Sequence, residues 1–193
     1  MSAFDQLHPS IQHHVVNSLV WRSLRPLQER AIGPVLAGKN CLLLAPTAGG
    51  KTEAAILPIL SRMLSENWRG LSVLYVCPIR ALLNNLEHRL SFYAGLVGRT
   101  CGLWHGDVAQ AVKSKTLAVP PDILLTTPES LEALLISRRT DRFFFFGSVR
   151  VIVIDEIHAF AGDDRGWHLL AVLERIRHIT NQDMQRIGLS ATV

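Results

Sequence analysis

Short apolar runs, rich in leucine and β-branched residues and bounded by turn residues, recur along the chain. These runs predict strands at residues 41–45, 72–77, 100–105, 122–126, 150–154 and 186–189. The run Val151–Ile154 is apolar at every position. Such a pattern is typical of a parallel strand that helices cover on both faces.

Between the runs, apolar residues recur three or four positions apart. This spacing predicts helices at residues 10–20, 26–37, 50–66, 80–96, 128–137 and 166–180. Pro26 fits a first helical turn, whereas Pro34 and Pro58 are expected to break or kink their helices. The alternation predicts an α/β fold, with a mostly parallel, doubly wound sheet and helices on both faces. Ligands of such sheets bind at the carboxyl ends of the strands.

Composition indicates one globular domain. The chain has 193 residues, 48% of them hydrophobic, and a net charge of +4 that fits a phosphate-bearing partner without requiring one. No apolar run reaches the roughly 20 residues that cross a bilayer, and the N-terminus lacks a signal-like pattern. Cys41, Cys77 and Cys101 lack metal-binding spacing and fit buried thiols. We therefore expect a cytoplasmic protein without a membrane partner.

A glycine-rich segment follows the first predicted strand and opens a helix. Residues 45–52 read Ala-Pro-Thr-Ala-Gly-Gly-Lys-Thr, close to the phosphate-binding pattern G-x-x-x-x-G-K-[ST] but with alanine first. In such a loop, backbone N–H groups and the positive helix end surround a polyphosphate. Lys51 would pair with the β and γ phosphates, and Thr52 would hold Mg²⁺. The predicted nucleotide-contacting residues of the loop are Thr47, Ala48, Gly49, Gly50, Lys51 and Thr52. A glycine-rich turn with an unrelated lysine is the alternative.

Two carboxylates end the most apolar predicted strand. Asp155 and Glu156 follow Val151–Ile154, where loss of water is costly unless a cation lies nearby. Asp155 is predicted to bind Mg²⁺, and Glu156 to polarise an attacking water. His158 could pass the state of the nucleotide to a neighbouring segment through a hydrogen bond. A solvated turn would explain the acids alone, but the loop with Lys51 favours a shared nucleotide site.

With Ser-Ala-Thr at residues 190–192 after a further strand, the chain resembles the first RecA-like motor domain of superfamily 2 helicases of the DExH type. The resemblance implies a P-loop NTPase with ATP and Mg²⁺ as cofactors. The implied catalytic residues are Lys51, Asp155 and Glu156, and the implied coupling residues are His158, Ser190 and Thr192. Gln28, within residues 24–28, would read the adenine base.

Three further segments, residues 77–82, 104–107 and 126–131, resemble those that line the nucleic-acid groove of such helicases. The residues predicted to contact nucleic acid are Pro78, Arg80, Gly106, Thr127 and Pro128. Pro128 at a helix start would leave first-turn N–H groups free for a phosphate. Arg80 could instead be a surface residue whose stem covers apolar area.

The Lhr-like branch of these helicases gives the most detailed resemblance. It rests on Asp-Glu-Ile-His-Ala at 155–159, Arg-Gly-Trp-His-Leu at 165–169 and Leu-Glu-Arg at 173–175. Members are ATP-driven translocases on single-stranded nucleic acid, usually DNA with 3′ to 5′ polarity. Ala48 departs from the family's usual glycine, and Gly49 from its frequent serine. Residues 127–130 lack the arginine of RNA-specific DEAD-box relatives, which favours DNA over RNA.

Four consecutive phenylalanines, residues 143–146, are predicted to pack in the core and at the sheet edge. A base-stacking platform is the less favoured alternative, and contact with a partner domain is another.

The motifs predict one helicase ATP-binding domain over residues 1–193, with residues 1–38 as a helical, adenine-recognising segment. The sequence contains no motif of a second RecA-like domain, which in this family supplies the arginine that stabilises the transferring γ-phosphate. We therefore expect this chain alone to bind nucleotide weakly, to hydrolyse it slowly and not to unwind. The alternatives are an RNA-directed helicase, a non-catalytic nucleotide-binding scaffold and a translocase within a restriction or defence complex.

Overall fold

The computed structural model describes residues 2–162 and 164–191, in which six strands alternate with eight α-helices. The strands are β1 (Cys41–Leu44), β2 (Val73–Val76), β3 (Cys101–Trp104), β4 (Ile123–Thr126), β5 (Val151–Ile154) and β6 (Gln185–Ser190). The helices are α1 (Pro9–Asn17), α2 (Pro26–Leu36), α3 (Lys51–Ser65), α4 (Arg80–Leu96), α5 (Gln110–Ala118), α6 (Pro128–Ile136), α7 (Arg142–Phe146) and α8 (Asp164–Thr180). Short 3₁₀ turns lie at Phe4–Gln6 and Ile157–Phe160.

All six strands form one parallel sheet in the order β1-β6-β5-β2-β4-β3. The register places Leu44 opposite Ser190 and Val76 opposite Ile154, so neighbouring strands end together. The carboxyl ends of every strand therefore share one edge. The predicted α/β fold is confirmed, and each of the six predicted strands is present.

Alternate residues of the strands face two separate cores. Val73 and Tyr75 pack with residues of α1 to α4 on one side of the sheet. Leu74 and Val76 pack with residues of α6 to α8 on the other. The central strands β2, β4 and β5 are buried at every position. This double burial explains their continuous apolar sequence.

Neither internal proline ends its helix, so of the expected break or kink the break is absent. α2 continues through Pro34 and α3 continues through Pro58. A helix-internal proline costs about 3 kcal/mol or more. Pro58 is buried, as are most residues of α3. Burial of this much apolar surface offsets the lost hydrogen bond.

Two helices, α5 and α7, were not expected from the spacing. α5 lies on the surface and buries only Thr116, so its sequence lacks a strong apolar stripe. α7 consists of Arg142 and the four phenylalanines, a composition that favours strand over helix. Its start is fixed by Asp141, whose side chain accepts a hydrogen bond from the backbone N–H of Phe144 at 3.1 Å.

The phenylalanine run divides between core and surface. Phe145 and Phe146 are buried at 1% and 0% exposure, and their rings meet edge to face at 5.0 Å between centroids. Phe143 and Phe144 are 71% and 60% exposed. The predicted core packing therefore holds for the second half of the run only.

Strand β1, which leads into the phosphate loop, lies at an edge of the sheet. Among the described residues it pairs only with β6. Leu43 packs in the core, whereas Leu42 and Leu44 on the opposite face are 56% and 39% exposed. Among the described residues, none of the helices has the length and apolar composition needed to cross a bilayer.

We expect Phe145→Ala to lower the free energy of unfolding by about 3–5 kcal/mol, because it empties a buried aromatic site. Phe143→Ala, the matched control on the same helix, should change it by less than about 0.5 kcal/mol. Urea unfolding followed by circular dichroism measures both. Equal losses in the two variants would contradict the division of the run.

Candidate nucleotide-binding site

The predicted phosphate loop connects β1 to α3 at the carboxyl edge of the sheet. Ala48 and Gly50 have positive φ angles of 62° and 79°. A Cβ atom on Gly49 would lie 2.7 Å from the Ala45 Cβ and 2.8 Å from the Pro46 carbonyl oxygen. Glycine is therefore required at position 49 for close packing and favoured at position 50 by conformation. Ala48 adopts a conformation that the family's usual glycine would occupy without strain.

Lys51 begins α3 and turns back over the loop. Its Nζ donates hydrogen bonds to the carbonyl oxygens of Ala45 at 2.8 Å and Pro46 at 3.2 Å. The next residue, Thr52, is buried, and its Oγ1 accepts a hydrogen bond from Arg89 Nη2 at 2.9 Å. An ammonium group held by two neutral carbonyls can exchange them for the stronger acceptors of a polyphosphate.

Asp155 directly follows β5 and is buried. The Tyr75 hydroxyl donates a hydrogen bond to its Oδ2 at 2.8 Å, and the backbone N–H of Glu156 donates to its Oδ1 at 2.9 Å. Burial raises the pKa of Asp155, although both hydrogen bonds and the charge of Lys51 act to lower it. Burial and the Asp155 charge raise the pKa of Tyr75 well above its usual range, so Tyr75 acts as a donor.

Tyr75 brings the two motifs together. Its hydroxyl donates a hydrogen bond to Asp155, and a hydrogen bond with the Thr52 side chain acts to lower the pKa of Tyr75 against the larger effect of burial. In the sheet only β6 separates the strand before the lysine loop from the strand before Asp155. Lys51 and Asp155 therefore lie at the same edge and are close enough to interact electrostatically.

Gln28, the predicted adenine contact, packs beside the loop. Its side chain is buried, and its Oε1 accepts a hydrogen bond from the backbone N–H of Arg25 at 2.9 Å. A Cβ atom on Gly50 would lie 2.6 Å from the Gln28 Nε2. The Arg25 guanidinium donates to the carbonyl oxygen of Ala48. The segment before α2 is thus connected directly to the phosphate loop.

Glu156 and His158 connect β5 to β6. Glu156 has a positive φ of 46°, which turns the chain sharply after Asp155. His158 Nδ1 lies 2.9 Å from Ser190 Oγ and 3.5 Å from Glu156 Oε2. The hydrogen bond expected from His158 to a neighbouring segment is therefore present. Thr192, the third predicted coupling residue, lies outside the described residues.

The five predicted nucleic-acid residues lie beyond the carboxyl ends of β2, β3 and β4, next to the nucleotide motifs. Arg80 pairs with Asp107 at 2.9 Å and packs against Gly106, whose added Cβ would lie 3.0 Å from its guanidinium. The Pro78 carbonyl oxygen accepts a hydrogen bond from Arg165 Nη2 at 2.9 Å.

Thr127 and Pro128 form the start of α6. The Thr127 Oγ1 caps the helix by accepting from the backbone N–H of Ser130 at 3.3 Å. Both side chains are buried. Thr127 would therefore act through the helix end that it positions rather than through an exposed hydroxyl.

Four residues of the site received no role from the sequence: Arg25, Tyr75, Arg89 and Arg165, although Arg165 begins one of the motifs of the resemblance. Arg25 lies in residues 24–28, the segment that resembles the adenine-reading segment of helicases, so its position near Gln28 could have indicated a role. Tyr75 lies within a strand, where an aromatic residue is ordinarily read as core. Arg89 lies in the middle of α4, and only the tertiary fold brings it to Thr52.

This arrangement defines a RecA-like P-loop NTPase domain, in which a lysine loop after one strand and an acid pair after another meet at one sheet edge. A sequence profile of the DEAD/DEAH box helicase family matches residues 25–193. The chain belongs to this family.

Individual relatives agree with that assignment. The chain is 38% identical over 183 residues to the Lhr helicase/probable uracil glycosylase of Mycolicibacterium smegmatis, covering 87% of this chain and 12% of that protein. It is 37% identical over 182 residues to the ATP-dependent helicase Lhr-Core of Methanothermobacter thermautotrophicus, covering 86% and 21%. The structure of Mycobacterium smegmatis helicase Lhr bound to ssDNA and AMP-PNP matches with a TM-score of 0.90 at 33% identity, covering 100% of this chain and 26% of that chain. The predicted resemblance to Lhr-like helicases is confirmed.

We expect the stability of Asp155→Asn relative to wild type to increase as the pH rises. Because burial raises the pKa of Asp155, the folded state holds its proton more tightly than the unfolded state. The contribution of Asp155 to stability is therefore present at low pH and is lost as pH rises through the folded pKa. The asparagine side chain does not titrate, so the variant does not lose stability in this way as the pH rises.

Urea unfolding between about pH 4 and 8 would measure the difference. Asp183→Asn is the control, because it removes the same charge from an exposed side chain. A difference between wild type and Asp155→Asn that stays constant across this range would contradict the interpretation.

Proposed function

We propose that this chain is the ATP-binding first motor domain of an ATP-dependent helicase or translocase that acts on single-stranded nucleic acid, with DNA favoured over RNA. The observation that carries this proposal is that the Lys51 loop and buried Asp155 lie at the same sheet edge, where the charge of Lys51 acts to lower the pKa of Asp155. The chain spans only 12% and 21% of the two relatives' lengths. Activity of the whole protein is therefore part of the proposal.

ATP would occupy the edge between the loop and Gln28. Backbone N–H groups of Thr47, Ala48, Gly49 and Gly50, with the positive end of α3, would surround the phosphates. Lys51 would leave the carbonyls of Ala45 and Pro46 to contact the β and γ phosphates. Gln28, buried beside Gly50, would contact the adenine edge. The AMP-PNP bound to the similar Lhr helicase supports this nucleotide.

The donor set fits Mg²⁺. Within the described part of the chain, no group of three or more His, Cys, Asp and Glu side chains is arranged to hold a metal. Mg²⁺ commonly takes one or two protein oxygens and completes its shell with water and substrate phosphates. Thr52 and Asp155 would supply those oxygens. Bound Mg²⁺ would supply positive charge that neutralises the phosphates and the buried carboxylate.

Glu156 is the proposed acceptor for a proton of the attacking water. Its carboxylate is partly exposed and next to Asp155, where a water can reach it. His158 and Ser190 would transmit changes at Glu156 to β6, and Thr192 is proposed to extend this connection. A second RecA-like domain would complete the site with an arginine, so this chain alone should hydrolyse ATP slowly and not unwind.

Single-stranded nucleic acid would lie over the ends of β2, β3 and β4. Arg80 would contact a phosphate, and Gly106 and Pro78 would let the backbone approach closely. The positive end of the α6 dipole, after Thr127 and Pro128, would attract another phosphate. DNA is favoured because residues 127–130 lack the arginine of RNA-specific relatives. The ssDNA bound to the similar Lhr helicase adds support.

We also propose that residues 1–193 act as one domain, in which residues 1–38 recognise adenine. Packing of the Phe4–Gln6 turn and α1 onto α2 and α3 supports it. A cytoplasmic location is proposed because the three cysteines are free thiols.

Nucleotide binding is tested by thermal unfolding of the chain with and without Mg-ATP. We expect Lys51→Ala to weaken ATP binding by at least about 10-fold, because it removes a charged hydrogen-bond donor. Glu156→Gln should keep the affinity within about 3-fold while removing turnover in a longer protein that carries the second domain. Lys39→Ala is the control with an equal charge change at an exposed site. No stabilisation of the wild type by Mg-ATP would favour the scaffold alternative.

Strand binding is tested by fluorescence anisotropy with oligodeoxythymidine and oligouridine of equal length. We expect tighter binding of the DNA strand. Arg80→Ala should weaken it and reduce the slope of log K against log salt by about 0.7, the value for one lost phosphate contact on a single strand. Arg69→Ala, near the opposite end of β2, should leave the slope unchanged. Tighter binding of oligouridine would favour the RNA-directed alternative.

A further inference from the structure

A cavity of about 400 Å³ lies between α5, α6 and residues 137–140, beside the proposed strand path. Its volume falls in the range of about 300–1,000 Å³ typical of small-molecule sites. Arg80 and Gly106, both predicted to contact nucleic acid, form part of its border. The cavity is thus continuous with that surface but extends past it towards α5.

The floor of the cavity is apolar. Trp104 at the end of β3, Leu117 of α5 and Leu134 of α6 line it. Trp104 and Leu134 belong to the core on that side of the sheet. A floor of this kind favours a flat, weakly hydrated group such as a nucleobase.

Thr140, which lines the same cavity, carries a buried hydroxyl. Thr140 is only 7% exposed, and its Oγ1 has no hydrogen-bond partner among the described residues. Its backbone N–H is satisfied by the Ser137 carbonyl oxygen at 3.3 Å. A buried polar atom without a partner costs stability, so its retention in a cavity wall points to a ligand atom as the missing partner.

Positive charge lies at the rim. The Lys113 Nζ donates to the Gly106 carbonyl oxygen at 3.0 Å and lies 6.0 Å from the Trp104 ring centroid. Arg139 is exposed and, within residues 2–162 and 164–191, forms no ion pair with a carboxylate. Glu129, an acid at the border, is engaged by Arg165 at 2.8 Å. The unbalanced charge of the rim is therefore positive and suits a phosphate.

We propose that this cavity binds one nucleobase together with its phosphate. The base lies on the apolar floor beside Thr140, whose hydroxyl would turn towards it, and the phosphate lies against Lys113 and Arg139. The inference rests on the proposed binding of single-stranded nucleic acid and adds to it a specific place for a base turned out of the strand. A free mononucleotide presents the same chemistry, so the test separates the two sources.

Two matched pairs of variants test the rim. Arg139→Ala and Arg138→Ala remove the same charge from adjacent exposed arginines, of which only Arg139 lines the cavity. Lys113→Ala and Lys115→Ala form the second pair on α5. In the 193-residue chain, we expect each cavity variant to weaken binding of an oligodeoxythymidine of about 12 nucleotides at least 5-fold more than its partner, measured by anisotropy.

Thr140→Val tests the base itself. The substitution removes an unpaired buried hydroxyl at nearly constant shape, so the Tm should be unchanged or higher. Binding of the strand should nevertheless weaken by about 3- to 10-fold, the loss expected for one hydrogen bond. A set of strands is then compared in which a single abasic residue occupies a different position in each strand. Where the abasic residue replaces the base that contacts Thr140, wild type and Thr140→Val should bind with equal affinity. A purely structural role would lower the Tm and would not depend on the abasic position.

The same variants are titrated with thymidine monophosphate by calorimetry. If the cavity variants lose affinity for the strand only, the cavity binds a nucleotide of the strand. If they lose affinity for both the strand and the monophosphate, the cavity binds free nucleotides as well. Equal affinities within both matched pairs for both ligands would overturn the proposal. If the wild-type chain binds no strand, the proposed nucleic-acid function fails, and the monophosphate titration alone decides the cavity.

Discussion

A buried carboxylate at the end of a fully apolar strand is the constraint on which the site depends. Asp155 is held by the Tyr75 hydroxyl and by the backbone N–H of Glu156. These two donors partly compensate the loss of water, since burial still raises its pKa. The compensation is completed only by positive charge from outside the strand. The charge of Lys51 already acts to lower the pKa of Asp155, and the proposed divalent cation would add further positive charge on binding with the nucleotide phosphates.

The parallel sheet determines which other loops lie near Asp155. Because all six strands end together, loops that are distant in sequence become neighbours. The nucleotide motifs follow β1, β5 and β6, and the proposed strand contacts follow β2, β3 and β4. β5 and β2 are adjacent, so Asp155 borders the second region through its contact with Tyr75. The proposed ATP site and the proposed strand site are thus neighbours across one strand pair.

The sequence was sufficient to predict the six strands, because each is a continuous apolar run that a doubly covered parallel sheet requires. The lysine loop and the acid pair were expected at one sheet edge because each directly follows a strand, whereas Gln28 was implied only by the resemblance to superfamily 2 helicases. The sequence failed for α5, which buries too little surface to show an apolar stripe, and for α7, where Asp141 as a helix cap outweighs the strand preference of phenylalanine. The contacts made by Tyr75, Arg89 and Thr140 depend on tertiary neighbours, and no local pattern reveals them.

The position of β1 at the sheet edge has a consequence for how the site responds to its ligand. β1 has a hydrogen-bonding neighbour on one side only among the described residues, and two of its four side chains are exposed. Local opening of this strand should therefore require less free energy than opening of β2 or β5. A nucleotide that contacts both the loop after β1 and Asp155 after β5 would link the edge strand to the centre of the sheet. Bound nucleotide would therefore reduce the difference in local stability between β1 and the central strands.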